Sequence, residues 1–260
     1  PAATAATAAI AAELTGYEDQ AAVDTEPFAQ WVIEDDFCAG RPAWDLGGAV
    51  FVRDVAPYEQ MKLRMLNGTH SALAYLGYLA GHETISETVA DPAFARFVKD
   101  LWAQEIIPVL HPPEGTSLPD YAAALFDRYA NPAIRHRTWQ IAMDGSQKLP
   151  QRLLGTIRAR LAAGQSYSRL ALGVAAWMRY VTGIDETGAP IDVKDPFAAR
   201  LRAIADAAGQ DAEELSAGLL AVTEIFGTDL PANPDFRSSV TTHLRSLFER
   251  GALATAKDVA

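Results

Sequence analysis

The chain has 260 residues, of which 49% are hydrophobic and 21% charged, with a formal net charge of -11 and a single cysteine. This composition supports a folded core, and the acidic balance, without basic runs of the needed size, argues against a nucleic-acid partner. Cys38 cannot form an internal disulfide, and no apolar run approaches the roughly 20 residues of a membrane-spanning helix. We therefore expect a cytoplasmic protein with no membrane contact, whose partners are small molecules or other proteins.

The predicted elements are almost all helices. The first covers the Ala-rich residues 2–15 and ends at Gly16, and the only short β-branched run in the first third of the chain is Ala49–Val52. From Pro57 onward, prolines and Asp or Asn residues open successive segments with helical spacing of apolar residues. These segments are 57–80, 91–107, 118–129, 131–143, 148–161, 166–180, 195–208, 211–226 and 233–250. We predict a mainly α, multi-helical bundle-like domain over residues 1–260, with about nine helices and at most one small β element near residues 49–53.

The common motifs for nucleotide, metal and nucleophile chemistry are missing from the sequence. It contains no G-x-G-x-x-G, no P-loop, no H-E-x-x-H, no paired C-x-x-C and no G-x-S-x-G. The five histidines show no ligand spacing. We therefore expect no metal site, and the chain carries no nucleotide-binding signature of its own.

The most informative segment runs from Pro57 to Leu79. At about 100° per residue on an ideal α-helix, with Lys62 at zero, Glu59 falls near 60° and His70 near 80°, whereas Asn67 falls near 140°. Apolar residues flank this polar set on both sides. A helix that is apolar over most of its circumference is buried, and a buried Lys, Asn or His needs either a partner or a chemical task.

Two interpretations of this polar set are open at this point. In the structural interpretation, Lys62 reaches solvent along its aliphatic stem and pairs with Glu59 one turn away. Asn67 and His70 then cap neighbouring loops. In the chemical interpretation the four residues form a site, and Gly68 thins the helix beside them so that a ligand or a backbone segment can approach.

The chemical interpretation follows from the residue types. A lysine becomes a base near neutral pH only if its pKa falls by roughly 3 units from about 10.4, which requires desolvation or a nearby cation. A buried helix supplies the desolvation, and an oxidised nicotinamide ring supplies the cation. Lys62 is then the base, the amide of Asn67 donates to an alkoxide or carbonyl oxygen, and His70 holds the neighbouring hydroxyl. The set suits alcohol oxidation without a metal.

The spacing of Lys62, Asn67 and His70, K-x4-N-x2-H, resembles that of the long-chain polyol dehydrogenase family, which includes mannitol 2-dehydrogenase. Further stretches resemble the second half of those enzymes in order and spacing: Glu26-Pro27-Phe28, Trp31-Val32-Ile33-Glu34-Asp35, Gly40-Arg41-Pro42, and Asp144-Gly145-Ser146 with Lys148 and Pro150. The resemblance covers most of the chain.

The resemblance implies a zinc-independent, NAD-dependent enzyme of two domains, with a Rossmann-type NAD-binding domain followed by a helical domain that carries the base. It implies Lys62 as general base and Asn67 as part of the oxyanion hole. It further implies that His70 binds substrate, that Glu59 stands at a proton path, and that Lys148 reaches the sugar chain. The NAD-binding domain and a second oxyanion Asn are expected upstream of residue 1, so this chain alone is expected to be inactive, with its own amino-terminal domain as a partner.

The substrate is less closely defined by the sequence. Residues 135–152 resemble the fructuronate reductase (mannonate oxidoreductase) branch more than the mannitol branch. Gln140 also departs from the mannitol enzymes, in which an Arg that grips the substrate stands at this place. Arg135, Arg137, Lys148 and Arg152 form a local basic cluster that suits the carboxylate of a sugar acid, or a solvated helix face.

Two functions are consistent with the sequence. The leading one is hydride transfer between NAD(H) and a secondary alcohol or ketone of a polyol or sugar acid, of the mannitol/fructose or mannonate/fructuronate type. The alternative is a helical scaffold or binding domain with no activity of its own. The site residues predicted for the first function are Lys62, Asn67 and His70 as catalytic, with Glu59, Gln140, Lys148 and Arg137 as substrate-binding.

Overall fold

The computed structural model describes residues 3–26 and 28–259. The chain divides into two compact units, Pro1–Val55 and Ala56–Ala260. Within the described residues the fold is mainly α, as predicted, with a single sheet of two strands. No helix in the described part of the chain is long and apolar enough to cross a membrane.

The first unit contains one helix and the sheet. Helix α1 (Ala5–Thr15) begins after Thr4, whose hydroxyl accepts a hydrogen bond from the Thr7 amide, and ends at the left-handed Gly16, as predicted. Strands β1 (Trp31–Glu34) and β2 (Ala49–Val52) pair in parallel, with Trp31 opposite Ala49. The predicted β element is therefore confirmed at β2, and β1 is the partner that the sequence pattern did not show.

The second unit is helical. Its helices before residue 160 are α2 (Ala56–Met61), α3 (Thr69–Leu79), α4 (Ile85–Ala90), α5 (Pro92–Asp100), α6 (Leu118–Ala130), α7 (Thr138–Ala142), α8 (Gly145–Leu149) and α9 (Gly155–Ala162). Those that follow are α10 (Ser168–Tyr180), α11 (Ala198–Ala208), α12 (Ala212–Leu220), α13 (Thr223–Phe226), α14 (Asp229–Ala232) and α15 (Pro234–Val259). Short 3₁₀ turns occur at Trp44–Gly47 in the first unit and at Ile107–Val109 in the second.

Three segments of this unit are wound as π-helix instead of α-helix. They are π1 (Lys62–Gly68), π2 (Leu101–Ile106) and π3 (Pro150–Leu154). A π-helix closes i→i+5 hydrogen bonds, is rare, and is frequent at functional sites. The sequence pattern predicted ordinary α-helix in all three places.

Helix α10 lies at the centre of the core. Every residue from Leu170 to Tyr180 is buried, and the helix packs against α15 on one side and α3 on another. The buried cluster begins at Met61 in the chain and includes Trp102 and Trp177. This packing fixes α3, and with it the polar residues of the segment from Pro57 to Leu79.

Three predicted helices differ from the observed ones. The predicted helix 211–226 is interrupted after Leu220 and forms α12 and α13. The 131–143 pattern forms a helix only at α7, because the preceding residues pair with a neighbouring loop: Ile85 donates its amide to the His136 carbonyl, and Thr138 donates its hydroxyl to the His82 carbonyl. The predicted stop at Gly251 is a kink, since its φ of 79° breaks the helix, which then resumes to Val259.

Candidate active site

Helix α2, segment π1 and helix α3 form one continuous rod. The backbone passes through Met61 and Thr69 at helical angles, so the winding changes without a break in the rod. In a π-helix, residues five apart stand about one turn apart. Lys62 and Asn67 are therefore brought towards the same face, closer than the angle of about 140° expected on an ideal α-helix. His70 follows Asn67 by three residues and continues the row.

Segment π1 is held by side chains from other elements. The indole Nε1 of Trp102 donates to the Met65 carbonyl at 3.0 Å, and the hydroxyl of Tyr129 donates to the Leu66 carbonyl at 2.7 Å. Both acceptor carbonyls lie within π1, where i→i+5 hydrogen bonds replace the i→i+4 hydrogen bonds of an α-helix. These bonds satisfy backbone groups that would otherwise be buried without a partner.

Gly68 allows a second backbone to approach π1 closely. A Cβ atom built on Gly68 would lie 2.4 Å from the carbonyl oxygen of Arg152, which belongs to π3. The prediction that Gly68 thins the helix for an approaching segment fits this contact, and the segment is backbone. Two π-helical turns therefore meet at this glycine.

The exposure of the predicted catalytic residues differs from the prediction. Lys62 and Glu59 are exposed, whereas Asn67 and His70 are half-buried. The sequence placed Lys62 on a buried helix, and this was wrong for the described chain: the apolar side of the segment, which includes the fully buried Met65, faces the core, and Lys62 faces away from it. The lysine is therefore open to solvent on its own side of the rod.

The His70 ring packs against two other aromatic rings. Its ring is stacked on Tyr129 and tilted against His136, with centroids 5.2 Å apart in each case. Its Nε2 atom is buried and has no hydrogen-bond partner among the described residues. Burial first, and then the positive charges of His136, Arg152, Arg128 and Lys148, lower the pKa of the imidazole to about 3. The ring is therefore neutral near pH 7.

Lys148 is placed by the turn that precedes it. Asp144 takes a left-handed φ of 55°, and Asp195 accepts hydrogen bonds from the amide of Ser146 at 2.8 Å and its hydroxyl at 2.6 Å. The Lys148 Nζ donates to the Met143 carbonyl at 2.5 Å and lies 3.8 Å from the Asp144 carboxylate. Burial, and then Arg152, lower the pKa of this lysine. It is close enough to His70 to contribute to the lowered pKa of that ring.

The other two predicted substrate-binding residues are exposed. Gln140 lies on α7. Arg137 stands just before that helix and forms an ion pair with Glu83 at 3.7 Å. Of the predicted basic cluster, Lys148 and Arg152 lie close enough to His70 to lower the pKa of its ring, whereas Arg135 and Arg137 have no such influence on it.

Sequence reasoning missed the neighbours of His70. Tyr129 comes from α6 and His136 from the loop after it, and neither carried a recognisable motif. Arg128 was also missed. No group of three or more His, Cys, Asp or Glu residues that could hold a metal ion occurs within residues 3–26 and 28–259.

A family model described as the mannitol dehydrogenase C-terminal domain matches residues 54–248. The chain belongs to the mannitol dehydrogenase family. D-mannonate oxidoreductase from Escherichia coli (strain K12) is 55% identical over 252 residues, covering 97% of this chain and 51% of that protein. Mannitol 2-dehydrogenase from Aspergillus fumigatus (strain CBS 144.89 / FGSC A1163 / CEA10) is 38% identical over 247 residues, covering 94% and 48%.

Two solved structures have the same fold as this chain. A ternary complex of Pseudomonas fluorescens mannitol 2-dehydrogenase with NAD and D-mannitol matches with a TM-score of 0.91 and 39% identity, covering 100% of this chain and 52% of that one. A substrate-free D-sorbitol dehydrogenase matches with a TM-score of 0.83 and 27% identity. The chain thus spans about half the length of the curated relatives and structures it matches.

Proposed function

We propose that this chain carries the base and the substrate-binding residues of an NAD-dependent dehydrogenase that acts on a polyol or a sugar acid. The observation that carries the proposal is the row formed by Lys62, Asn67 and His70, which the π-helical winding of π1 brings towards one side of a single rod. Membership of the mannitol dehydrogenase family supports the same function.

The residue types assign a role to each member of the row. In the oxidative direction the carbinol carbon loses its hydrogen as hydride, its hydroxyl loses a proton, and a C=O bond forms. The ε-amino group of Lys62 takes up that proton, and the side-chain amide of Asn67 donates to the oxygen as charge develops on it. When bound, the nicotinamide cofactor supplies the two-electron oxidising chemistry.

The half-buried residues His70 and Lys148 position the substrate. The unpartnered Nε2 of His70 is free to exchange a hydrogen bond with a substrate hydroxyl, which would remove the penalty of a buried unsatisfied nitrogen. Lys148 lies beside it and donates to a second oxygen of the carbon chain. Gln140, Arg137 and Glu59 are exposed and stay candidates for the outer part of the site.

The cofactor is proposed to be held by sequence outside this chain. The chain has no glycine-rich dinucleotide motif, and the relatives it matches are about twice as long. We assign NAD binding to a Rossmann-type domain that precedes residue 1 and that covers the exposed Lys62, supplying the desolvation that a base needs.

The test is Lys62→Ala in the intact protein, including the proposed amino-terminal domain. Turnover, followed by the absorbance of NADH, is expected to fall about 10²- to 10⁴-fold, because general acid–base catalysis contributes that much. The affinity for NADH should be unchanged. The matched control is Lys257→Ala, which removes an exposed lysine at the far end of the chain.

Near-normal turnover in the Lys62 variant would contradict the proposed base. The alternative, a scaffold or binding domain without activity, predicts no hydride transfer by the intact protein with any polyol or sugar acid. Calorimetric titration of the 260-residue chain alone with NADH checks the location of the cofactor site. We expect no tight binding. A dissociation constant below about 1 μM would place the site within this chain.

A further inference from the structure

Tyr129 contacts the row of proposed site residues at two points. Its hydroxyl donates to the Leu66 carbonyl at 2.7 Å, and its ring stacks on the imidazole of His70 with centroids 5.2 Å apart and planes 25° apart. The residue is only 4% exposed. Burial raises the pKa of its hydroxyl well above the usual range. The hydroxyl therefore keeps its proton near neutral pH and acts as a donor.

The hydrogen bond to Leu66 acts on the residue that follows it. The Leu66 carbonyl and the amide nitrogen of Asn67 belong to one planar peptide group, in which rotation about the C–N bond is strongly hindered. A donor that fixes the direction of the carbonyl therefore also fixes the plane that contains the Asn67 Cα atom. Because the Asn67 side chain branches from that atom, the bond constrains where its amide lies.

The ring of Tyr129 is itself held by a neighbour. Trp102 stacks on it with centroids 5.9 Å apart and planes 26° apart, and the Trp102 Nε1 donates to the Met65 carbonyl at 3.0 Å. The two rings come from different elements, π2 and α6, and donate to successive carbonyls of π1. His70 thus stacks on a ring that is fixed by a hydrogen bond and by a second ring.

We propose that Tyr129 is a positioning residue of the active site: its hydroxyl orients Asn67 through the Leu66 carbonyl, and its ring orients the imidazole of His70. The proposal rests on the proposed function, in which Asn67 donates to the developing oxyanion and His70 binds a substrate hydroxyl. Such donors are effective when they are held in place before the reaction, because no reorganisation is then needed as charge develops.

The role of the hydroxyl is tested by Tyr129→Phe in the intact protein, with NAD and whichever of D-mannonate and D-mannitol it oxidises faster. The variant keeps the ring and loses the bond to Leu66. We expect kcat to fall about 10-fold, since a small misplacement of a catalytic group is costly. The KM for the sugar should stay within about twofold, because Asn67 acts mainly on the transition state. In an Asn67→Ala background the same change should lower kcat less than about twofold, since no side-chain amide remains to be oriented.

An equal loss of kcat in both backgrounds would overturn the proposal, because a merely structural defect acts whether or not the Asn67 amide is present. An unchanged kcat in Tyr129→Phe would overturn it as well. The matched control is Tyr180→Phe. It removes the hydroxyl of another buried tyrosine, which has no hydrogen-bond partner among the described residues, and it should change neither kcat nor KM.

The role of the ring is tested by Tyr129→Leu, using NMR of isotope-labelled histidine, with His70→Asn to assign the signal. In the wild type and in Tyr129→Phe the His70 signal should not titrate above about pH 5, because its pKa is about 3. In Tyr129→Leu water should reach the ring, so the signal should shift and titrate above about pH 5. The KM for the sugar should rise about 10-fold, the usual effect of losing one hydrogen bond. An unchanged His70 signal in this variant would contradict positioning by the ring.

Failure of this proposal and failure of the proposed function give different results. If the intact protein oxidises neither sugar, the proposed function fails, and the NMR comparison still decides whether Tyr129 holds His70. If it oxidises a sugar but Tyr129→Phe loses the same factor in both backgrounds, the proposed function stands and the role of Tyr129 fails. Should Tyr129→Leu not fold, the comparison of Tyr129→Phe in the two backgrounds decides the proposal alone.

Discussion

Both burial and neighbouring positive charges keep the His70 ring neutral. The ring is half-buried between two aromatic neighbours, and nearby cations make its protonated form unfavourable. A neutral imidazole has one donor and one acceptor nitrogen, so it can bind either a hydroxyl or a carboxylate oxygen. The sequence predicted His70 as a site residue from its spacing to Lys62 and Asn67. It did not predict Tyr129 or His136 against the ring, because those contacts join residues far apart in the chain.

The lowered pKa of His70 predicts a pH dependence of stability. The unfolded imidazole titrates near its reference value of about 6.5 and the folded one near 3, so the unfolded state binds more protons between these values. The free energy of unfolding therefore falls as the pH falls through this window, and the full contribution is present above about pH 6.5.

The measurement is urea unfolding of wild type and His70→Asn at about pH 5 and pH 7. The variant should lose less stability on acidification, by at most about 1.4 kcal/mol per pH unit. His243→Asn serves as a positive control for this measurement, because burial also lowers the pKa of that histidine, to about 4, away from the site. An unchanged slope in His70→Asn would show that His70 is not held neutral.

Sequence patterns predict that the π-helical segments are helical, but they do not predict the π winding. The motif K-x4-N-x2-H and the room that Gly68 leaves beside the helix depend on nearby residues and were predictable, whereas the backbone of Arg152 that approaches Gly68 comes from a distant part of the chain. The hydrogen bonds from Trp102 and Tyr129 to the carbonyls of π1 join residues 37 and 63 positions apart, and no local pattern encodes them. Local sequence therefore predicts a helix here but not its π winding.

Gly68→Ala tests the contact between π1 and π3. A Cβ at 2.4 Å from the Arg152 carbonyl oxygen forces two backbones apart, so we expect a loss of about 1–3 kcal/mol in the free energy of unfolding. Urea unfolding gives this value, and turnover of the intact protein should fall with it. The control is Gly155→Ala, a helical glycine whose added Cβ meets only the Pro150 oxygen at 3.6 Å. That change should be neutral or stabilising by up to about 1 kcal/mol. Equal effects at both glycines would rule out a special contact at Gly68.

At the scale of the whole molecule, the boundary between Val55 and Ala56 coincides closely with the start of the family match at residue 54. Prolines, caps and glycine stops were sufficient to predict a mainly α chain. Strand β1 was missed because parallel pairing joins it to β2 across an intervening loop, and the four residues of β1 have no alternating pattern. A parallel sheet of two strands is also smaller than sheets that are stable alone.

Removal of residues 1–55 should leave the second unit folded. The main buried cluster starts at Met61, so the shortened chain keeps it complete. Circular dichroism should show an undiminished helical signal per residue and a cooperative melt. We expect a Tm within about 4 °C of that of the 260-residue chain, the shift caused by roughly 1 kcal/mol in a domain of this size. A non-cooperative melt would show that the first unit is needed for the core.

The wide turn of π1 also constrains how this stretch can change length. A π-helical turn can be regarded as an α-helical one that has accepted an inserted residue, so deletion of one residue between Lys62 and Asn67 would relax the backbone towards ordinary α-helix. Lys62 and His70 would then be seven residues apart, which on an ideal α-helix separates them by only about 20°. The wide turn thus accommodates one additional residue while it keeps both ends of the row on one side of the helix.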